Sequence, residues 1–138
     1  MTQGTKQFRK RNAILSYLRS TDTHPSAEMV FGQLKPEIPD LSLGTVYRNL
    51  AMFRQQGTIA SVGTVNGVER FDGNTQPHVH FVCNGCSAVI DLPQLQVPVT
   101  LTSAAREQTG GQVASCQLTF TGLCRECIME NEKGGETA

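Results

Sequence analysis

Apolar residues recur at helical spacing in three segments of the first half of the chain. Between residues 6 and 19, Phe8, Ile14, Leu15 and Leu18 recur at helical spacing, which predicts an amphipathic helix. A second, short helix is predicted for residues 26–34, where Ser26 supplies a start signal. Ser42 is a suitable N-cap for a third helix, and Gly57 is a suitable residue to end it. The pattern therefore predicts three consecutive helices.

The period then changes from that of a helix to that of a strand. Residues 59–65 and 68–71 flank Asn66 and Gly67, a pair that tolerates the positive φ angles of a type I′ turn. This arrangement predicts a β-hairpin. Three helices followed by a two-stranded hairpin is the order of a winged helix-turn-helix.

The second half of the chain predicts a smaller mixed unit. Its polar tail from Glu130 is expected to be frayed. A unit of about 60 residues usually needs a metal, disulfides or a partner chain for stability. We therefore predict an α+β protein with a winged-helix domain at 1–72, a hinge at 73–77 and a second, small domain at 78–138 that needs one of these supports. Within the last, strands are predicted at 79–83, 88–92 and 113–120, and a helix at 99–108.

Composition agrees with a globular protein. Of 138 residues, 38% are hydrophobic and 17% are charged, which argues against disorder. No apolar run approaches the ~20 residues that cross a bilayer, so we expect no membrane association. The polar, basic N-terminus has no apolar segment behind it, which predicts a cytoplasmic protein without a signal peptide.

The zero net charge hides an asymmetry between the halves. Residues 1–60 contain eight basic and four acidic residues, whereas residues 73–138 contain three basic and six acidic residues. A basic half favours a polyanionic partner such as DNA, although ordinary scatter is the alternative.

Four of the five cysteines form two Cys-x-x-Cys pairs, Cys83 with Cys86 and Cys124 with Cys127. Four thiolates complete the tetrahedron that zinc prefers and leave no position open for water, so we predict a structural zinc site. The alternatives are a thioredoxin-like redox pair or two unconnected surface pairs. We disfavour the redox pair because neither motif is expected to open a helix in a βαβ unit. Cys116 is expected to be a buried small hydrophobe.

A second group of possible metal ligands lies around the hinge. His78 and His80 are alternate residues and can point to one face of a strand. Asp72 lies at the end of the hairpin, and Asp91 lies on the next strand. Imidazole mixed with carboxylate suits iron(II), manganese(II) or zinc. The alternative is ordinary surface polar chemistry, with Asp72 capping a turn.

Several motifs in this chain resemble those of the ferric uptake regulator (Fur) family. The first is Leu41-Ser-Leu-Gly-Thr-Val-Tyr-Arg-Asn-Leu50, and the others are His78-Val-His80-Phe-Val-Cys83-Asn-Gly-Cys86, Cys124-Arg-Glu-Cys127, His24-Pro25-Ser26-Ala27-Glu28 and Arg70-Phe71-Asp72. The resemblance covers nearly the whole chain in the family's order. It implies an N-terminal winged helix, a C-terminal dimerisation domain, and DNA binding by the metal-loaded homodimer.

The peroxide-sensing members of the family resemble this chain most closely. By that resemblance, iron(II) or manganese(II) binds a regulatory site of three histidines and two aspartates. Peroxide would then oxidise His24 or His78 when iron is bound, and DNA would be released. Iron-responsive members typically have Glu where this chain has Asp91. An iron- or zinc-responsive repressor of metal uptake is the alternative. The resemblance places the regulatory site of the peroxide-sensing members at His24, Asp72, His78, His80 and Asp91.

The third predicted helix presents polar and aromatic side chains away from its apolar stripe. We expect four of them to contact base edges in the major groove and Arg54 to meet phosphate; a solvated helix face is the alternative. A dimer would read an inverted repeat in double-stranded DNA, since its two-fold symmetry imposes the same symmetry on the site. The four residues are Thr45, Tyr47, Arg48 and Asn49.

Two other classes of function are less consistent with these patterns. A metal-dependent hydrolase requires a general base beside an open metal position, and the sequence offers no further Glu or His for that role near the cluster. A zinc-ribbon interaction module would leave the third helix and the hairpin without a role. We therefore expect a regulator and not an enzyme.

Overall fold

A computed structural model describes residues 3–76 and 78–135 and divides the chain into two compact units, Met1–Thr75 and Gln76–Ala138. Residues 1, 2, 77 and 136–138, which include part of the predicted hinge and both predicted termini, lie outside the described residues. The predicted limits of 1–72, 73–77 and 78–138 stay predictions.

The first unit begins with the three predicted helices, α1 (Gln3–Ser20), α2 (Ala27–Leu34) and α3 (Leu43–Gln55). The side-chain oxygen of Ser26 accepts the N–H of Met29 at 3.2 Å and caps α2. Ser42 caps α3 in the same way, accepting the N–H of Thr45 at 3.1 Å. The start signal at Ser26 and the N-cap predicted at Ser42 are both confirmed, and each serine satisfies an N–H group that the first helical turn leaves without a partner.

The predicted hairpin follows α3 as β1 (Ala60–Val65) and β2 (Val68–Asp72), which pair antiparallel. Asn66 and Gly67 have φ angles of 51° and 82°, as a type I′ turn requires. Gly57, with a φ of 75°, follows the end of α3, as predicted. Three helices and this two-stranded wing form the winged helix-turn-helix that the sequence predicts.

The first unit has a continuous apolar core. Its helical members lie at the spacings that predicted the helices, and Ile59 and Phe71 add the wing to it. The wing is thus fixed to the helices by burial as well as by the chain. The twelve buried members are Ile14, Leu18, Ala27, Val30, Leu34, Ile38, Leu41, Val46, Leu50, Phe53, Ile59 and Phe71.

The second unit contains a three-stranded sheet and two helices. Strand β3 (Val79–Cys83) lies in the centre, antiparallel to β4 (Val89–Leu92) and parallel to β5 (Thr119–Gly122). Helix α4 (Val99–Thr109) connects β4 to β5 and ends at Gly110, whose φ is 67°. Helix α5 (Arg125–Gly135) follows β5. The chain is therefore an α+β protein.

Three predictions for the second unit are wrong. The strand expected over 113–120 is confined to β5, because the alternation before Thr119 does not correspond to a ladder of hydrogen bonds. The tail expected to fray from Glu130 continues α5 to Gly135. Cys116 is exposed and not buried, because it lies in the irregular segment before β5.

The second unit buries few apolar side chains within its described residues. Val79, Val82 and Val89 are buried with Cys83, and α4 has no buried residue. Larger apolar side chains remain exposed on this unit, namely Ile90, Leu95, Val99, Leu101, Phe120, Leu123, Ile128 and Met129. Within residues 3–76 and 78–135, no helix combines the length and apolar character required to span a bilayer.

Candidate functional site

The four predicted zinc ligands converge in the second unit. Their Sγ atoms all lie within 4.8 Å of one another. Cys83 and Cys127 have an Sγ–Sγ distance of 3.5 Å, and Cys86 and Cys124 one of 3.8 Å. Four sulfurs at ~2.3 Å from a tetrahedral zinc would be about 3.8 Å apart. The donor set and its spacing therefore fit zinc.

Backbone amides stabilise the thiolate of Cys83. Its Sγ accepts N–H groups from Cys124, Gly85 and Cys86 at 3.3, 3.3 and 3.4 Å. These bonds, led by that of Cys124, lower the pKa of Cys83 to about 6. The pKa of Cys127 is raised, because Cys83 and then Cys124 crowd its sulfur and disfavour a further negative charge. A divalent cation would relieve that repulsion and hold all four sulfurs as thiolates.

The surroundings of the cysteines correct one expectation from the sequence. Cys124 immediately precedes α5 and Cys127 lies in its first turn, so this pair does open a helix. The convergence of four sulfurs, and not the absence of a helix, is what argues against a simple redox pair. Gly85 allows this approach, because a Cβ there would be 2.9 Å from Sγ of Cys127.

His24 and Asp72 lie together in the first unit. Nε2 of His24 is 3.2 Å from Oδ2 of Asp72, and the two side chains are only 2% and 8% exposed. The other carboxylate oxygen, Oδ1, accepts the N–H of Asn74 at 2.8 Å. This bond fixes the carboxylate with one oxygen directed at the imidazole. The pair offers one nitrogen and one oxygen donor to a divalent cation.

Strand β2 also holds the backbone around His24, which no sequence pattern predicts. Nε of Arg70 donates to the carbonyl oxygen of His24, and Nη2 donates to that of Thr23 at 2.8 Å. The N–H of Phe71 donates to the carbonyl oxygen of Pro25 at 3.0 Å. Desolvation lowers the pKa of Arg70, but an arginine remains protonated in proteins.

The other three predicted ligands meet in the second unit. Asp91 lies opposite His80 across the β3–β4 pair. Its Oδ1 is 3.1 Å from Nε2 of His78 and 3.2 Å from Nε2 of His80. Nδ1 of His78 lies 2.6 Å from the carbonyl oxygen of Gln76. Because a carbonyl can only accept, Nδ1 carries the proton and Nε2 is the nitrogen suited to bind a metal.

The exposed face of α3 presents the predicted base-contacting side chains. Tyr47 is 47% exposed, and its hydroxyl donates to Oε1 of Glu28 on α2 at 2.5 Å. Arg48 donates to Oγ1 of Thr45 at 3.1 Å, and Asn49 donates to the carbonyl oxygen of Thr45 at 2.8 Å. Intramolecular bonds thus orient each polar side chain of this face.

Arg54 differs from the other residues predicted to contact DNA. Its Nη1 donates to Oε2 of Glu69 in the wing at 2.7 Å, and Ser61 donates to the same oxygen. A separate groove of about 650 Å³ between α1 and α3 is lined by more basic side chains than acidic ones. The basic residues are Lys6, Lys10, Arg11 and Arg48, and the acidic residue is Asp40.

Comparison with known proteins identifies the family. Residues 2–121 match the model of the ferric uptake regulator family. The chain belongs to this family. It is therefore a metal-dependent transcriptional regulator, since the members of the family are regulators and not enzymes.

Individual relatives agree with this assignment. The chain is 33% identical over 126 residues to the peroxide-responsive repressor PerR of Staphylococcus aureus, covering 90% of this chain and 83% of the relative. It is similar to the Campylobacter jejuni peroxide stress regulator, with a TM-score of 0.75, 25% identity and coverage of 89% and 92%. The Vibrio cholerae ferric uptake regulator gives a TM-score of 0.67 at 28% identity, with coverage of 83% and 88%.

Proposed function

We propose that this chain is a cytoplasmic repressor that senses hydrogen peroxide through iron-catalysed oxidation of a ligand histidine. The observation that carries the proposal is the aspartate at position 91, with Oδ1 within 3.2 Å of both His78 and His80. By the family resemblance, iron-responsive members have Glu there. The similarity to a relative named as a peroxide-responsive repressor supports the same assignment.

The structural ion of this proposal is zinc. It binds Cys83, Cys86, Cys124 and Cys127, whose separations match a tetrahedron of thiolates. In a unit with so small an apolar core, its binding energy is also folding energy. Its role is to hold the start of α5 against the β3–β4 turn and so maintain the surface used for dimerisation.

The regulatory ion is iron(II) or manganese(II), bound by His24, Asp72, His78, His80 and Asp91. The donor set fits these ions, because imidazole nitrogens and carboxylate oxygens suit both iron(II) and manganese(II). The set contains no thiolate, which distinguishes it from the zinc site. Iron(II) supplies one-electron chemistry toward peroxide, which manganese(II) does not under the same conditions. By the family resemblance, binding of the ion favours the state of the protein that is competent to bind DNA.

The chain's own residues determine which group is oxidised and how DNA is released. One oxygen atom of peroxide is inserted at an imidazole carbon of His24 or His78, and the other leaves as water. The histidine loses two electrons and the peroxide gains them. The carbonyl of Gln76 holds Nδ1 of His78, so its ring stays directed toward Asp91. An oxidised ring is a poorer ligand, and its loss removes the bias toward DNA binding.

A homodimer presents two copies of α3 to an inverted repeat in double-stranded DNA. Thr45, Tyr47, Arg48 and Asn49 are the proposed base-reading residues, oriented by the hydrogen bonds of that face. Arg54 reaches phosphate only by exchanging its bond to Glu69. The exposed apolar side chains of the second unit, such as Leu101, Phe120 and Ile128, are the proposed surface between the two copies.

The test compares iron(II)-loaded and manganese(II)-loaded protein after stoichiometric peroxide. We expect one added oxygen on the peptide of His24 or His78, and loss of specific DNA binding, in the iron sample only. The matched variant is Asp91→Glu, which keeps the carboxylate and should bind iron while leaving both peptides unmodified. Unmodified histidines with intact DNA binding in the original protein would contradict peroxide sensing. They would favour an iron- or zinc-responsive repressor of metal uptake.

A further inference from the structure

The backbone of His24 adopts an unusual conformation in the first unit. Its φ angle is 52°, in the left-handed region that residues other than glycine rarely adopt. Pro25 follows it, and a residue before proline favours an extended backbone with negative φ. Such a conformation persists only where the surrounding structure holds it. His24 is also only 2% exposed, so its surroundings are protein atoms and not solvent.

Three consecutive residues of β2 supply that support. Arg70 donates to the carbonyl oxygens of Thr23 and His24, and Phe71 donates to that of Pro25. Arg70 and Asp72 are alternate residues of the strand and lie on the same face. One strand face therefore contacts His24 twice, at its carbonyl oxygen through Arg70 and at its imidazole through Asp72.

We propose that Arg70 is a positioning residue for the regulatory metal site. By binding two successive carbonyl groups it holds the backbone of His24 so that the imidazole faces Asp72. This inference rests on the proposed function, since the ion concerned is the regulatory one. The bonds from Arg70 to Thr23 and His24 are to backbone carbonyl oxygens, not to an imidazole or a carboxylate. Arg70 acts through His24, as groups behind a metal ligand fix the orientation of that ligand.

The chemistry of arginine suits this position. The guanidinium is a rigid fork of N–H donors, so two of its nitrogens can bind two neighbouring carbonyl oxygens at once. It is 9% exposed, so its bonds meet little competition from water. Lysine at the same place has one nitrogen at the end of a flexible chain. It could donate well to one of the two carbonyl oxygens and only poorly to the other. Arg70→Lys is therefore expected to have an effect smaller than that of Arg70→Gln.

The position of Arg70 also connects metal binding to the wing. Strand β2 is the second strand of the wing, while His24 lies just before the N-cap of α2. The contacts of Arg70 therefore join the wing to the start of the helix-turn-helix. A metal ion bound to His24 and Asp72 would stabilise this junction. Displacement of His24 would then affect both the wing and the helix-turn-helix.

The experiment is a double-mutant cycle on the full-length, zinc-retaining protein, with manganese(II) as the probe. Arg70→Gln should weaken manganese binding by about 10- to 100-fold. In a His24→Ala background the same change should alter affinity by less than about twofold, because the group through which Arg70 acts is absent. The matched control, Arg19→Gln, removes the same charge from an exposed position of α1 and should leave affinity unchanged.

Two further readouts separate positioning from general loss of structure. Arg70→Lys should give an intermediate affinity with unchanged zinc content and thermal midpoint. In manganese-free protein, the NMR signals of the His24 imidazole should move toward those of a free histidine in Arg70→Gln but not in Arg19→Gln. The conservative variant keeps the test decisive should Arg70→Gln fold poorly.

The outcomes also distinguish the two proposals. If Arg70→Gln weakens manganese binding by the same factor in the original protein and in the His24→Ala background, the positioning role is overturned. A normal affinity in Arg70→Gln would overturn it too, provided that His24→Ala weakens binding. If His24→Ala itself leaves manganese affinity unchanged, the proposed regulatory site fails first, and Arg70 has no metal-linked role.

Discussion

The two units of the chain bury apolar surface in different ways. The first has a core of twelve residues that includes members of all three helices and the wing. Among the described residues of the second, three valines and Cys83 are the buried apolar ones, while helix α4 leaves Val99 80% exposed. The first unit therefore has a continuous apolar core, whereas the described residues of the second bury little apolar surface.

This difference indicates what holds each unit together. Burial of apolar surface stabilises a folded protein by about 25 cal/mol per Å², so the first unit gains more stability from this source than the second. In the second, four thiolates converge where a core would otherwise lie, and Cys83 is both a buried residue and a proposed ligand. Its stability therefore depends on a metal and, by our proposal, on a second copy of the chain.

The largest expected effect is the loss of the metal from the second unit. Cys124→Ser removes one of four sulfurs, and structural zinc contributes about 10–16 kcal/mol in small zinc-dependent peptides. We expect this variant to lose zinc, dimerisation and the protected amides of β3 and β5, while the amides of α1–α3 stay protected. Hydrogen exchange measured with zinc analysis checks both units in one sample.

Cys116→Ser is the matched control for this variant. It makes the same chemical change at an exposed cysteine outside the cluster, so zinc content and exchange should remain as in the original protein. Protection of β3 that survives in zinc-free Cys124→Ser would show that the second unit folds on its apolar residues after all.

A substitution in the apolar core should instead destabilise the first unit and leave the zinc site of the second unit unchanged. Leu50 is 1% exposed at the centre of the first unit, and Leu50→Ala should lower the stability of that unit by about 2–5 kcal/mol. Zinc content should not change. Phe8→Ala, at a side chain that is 59% exposed, should shift stability by no more than about 0.5 kcal/mol. Chemical denaturation followed by NMR resolves the two units. Equal destabilisation of both would contradict the assignment of Leu50 to a core of the first unit alone.

The same difference explains how far the sequence could predict the fold. In the first unit the apolar positions face a core within the same chain, so their spacing predicted α1–α3 and the wing correctly. In the second, Ile128 and Met129 of α5 remain exposed within the chain, and the apolar pattern did not reveal the helix. Strands β3 and β4 and helix α4 were nevertheless predicted close to their observed limits.

The candidate site was predictable to different degrees. The cysteine spacing predicted a cluster that the four sulfurs form. The pairing of Asp91 with His80 follows from strand register, which alternation suggested. His24 came only from the family resemblance, because no spacing rule connects it to Asp72. Arg70 was missed as a functional residue, since its partners are backbone carbonyls and carry no sequence signal.

Close approach of backbone segments provides a smaller test within the first unit. A Cβ on Gly73 would lie 2.6 Å from the carbonyl oxygen of Leu18, at the end of α1. Gly73→Ala should therefore shift the end of β2 and destabilise the unit by about 1–3 kcal/mol. Thermal unfolding of the zinc-loaded protein measures the change.

Gly32→Ala is the matched control for Gly73→Ala. Gly32 lies in α2, and a methyl group there would meet no other part of the described chain within 4 Å, apart from the backbone of its own helix. Alanine should therefore stabilise the unit by about 0.5–1 kcal/mol. Opposite signs for the two glycines would confirm that contact with α1, and not glycine removal itself, destabilises Gly73→Ala. A neutral Gly73→Ala would show that the junction of β2 with α1 is looser than the core beside it.

The smallest expected effect lies on the exposed face of the first unit. The hydroxyl of Tyr47 donates to the carboxylate of Glu28, which lowers the pKa of Glu28 and raises that of Tyr47. A carboxyl group with a lowered pKa in the folded state adds stability above its unfolded pKa and loses it as pH falls through its folded pKa. Tyr47→Phe should bring the pKa of Glu28 back toward its ordinary value, as followed by NMR of its carboxyl carbon. The stability difference from the original protein should disappear in acid, where Glu28 is protonated.

Glu28→Gln is the control for this prediction, because glutamine cannot titrate. In that background, the effect of Tyr47→Phe on stability should be independent of pH in this range. An unchanged pKa of Glu28 in Tyr47→Phe would mean that the two residues do not interact in solution.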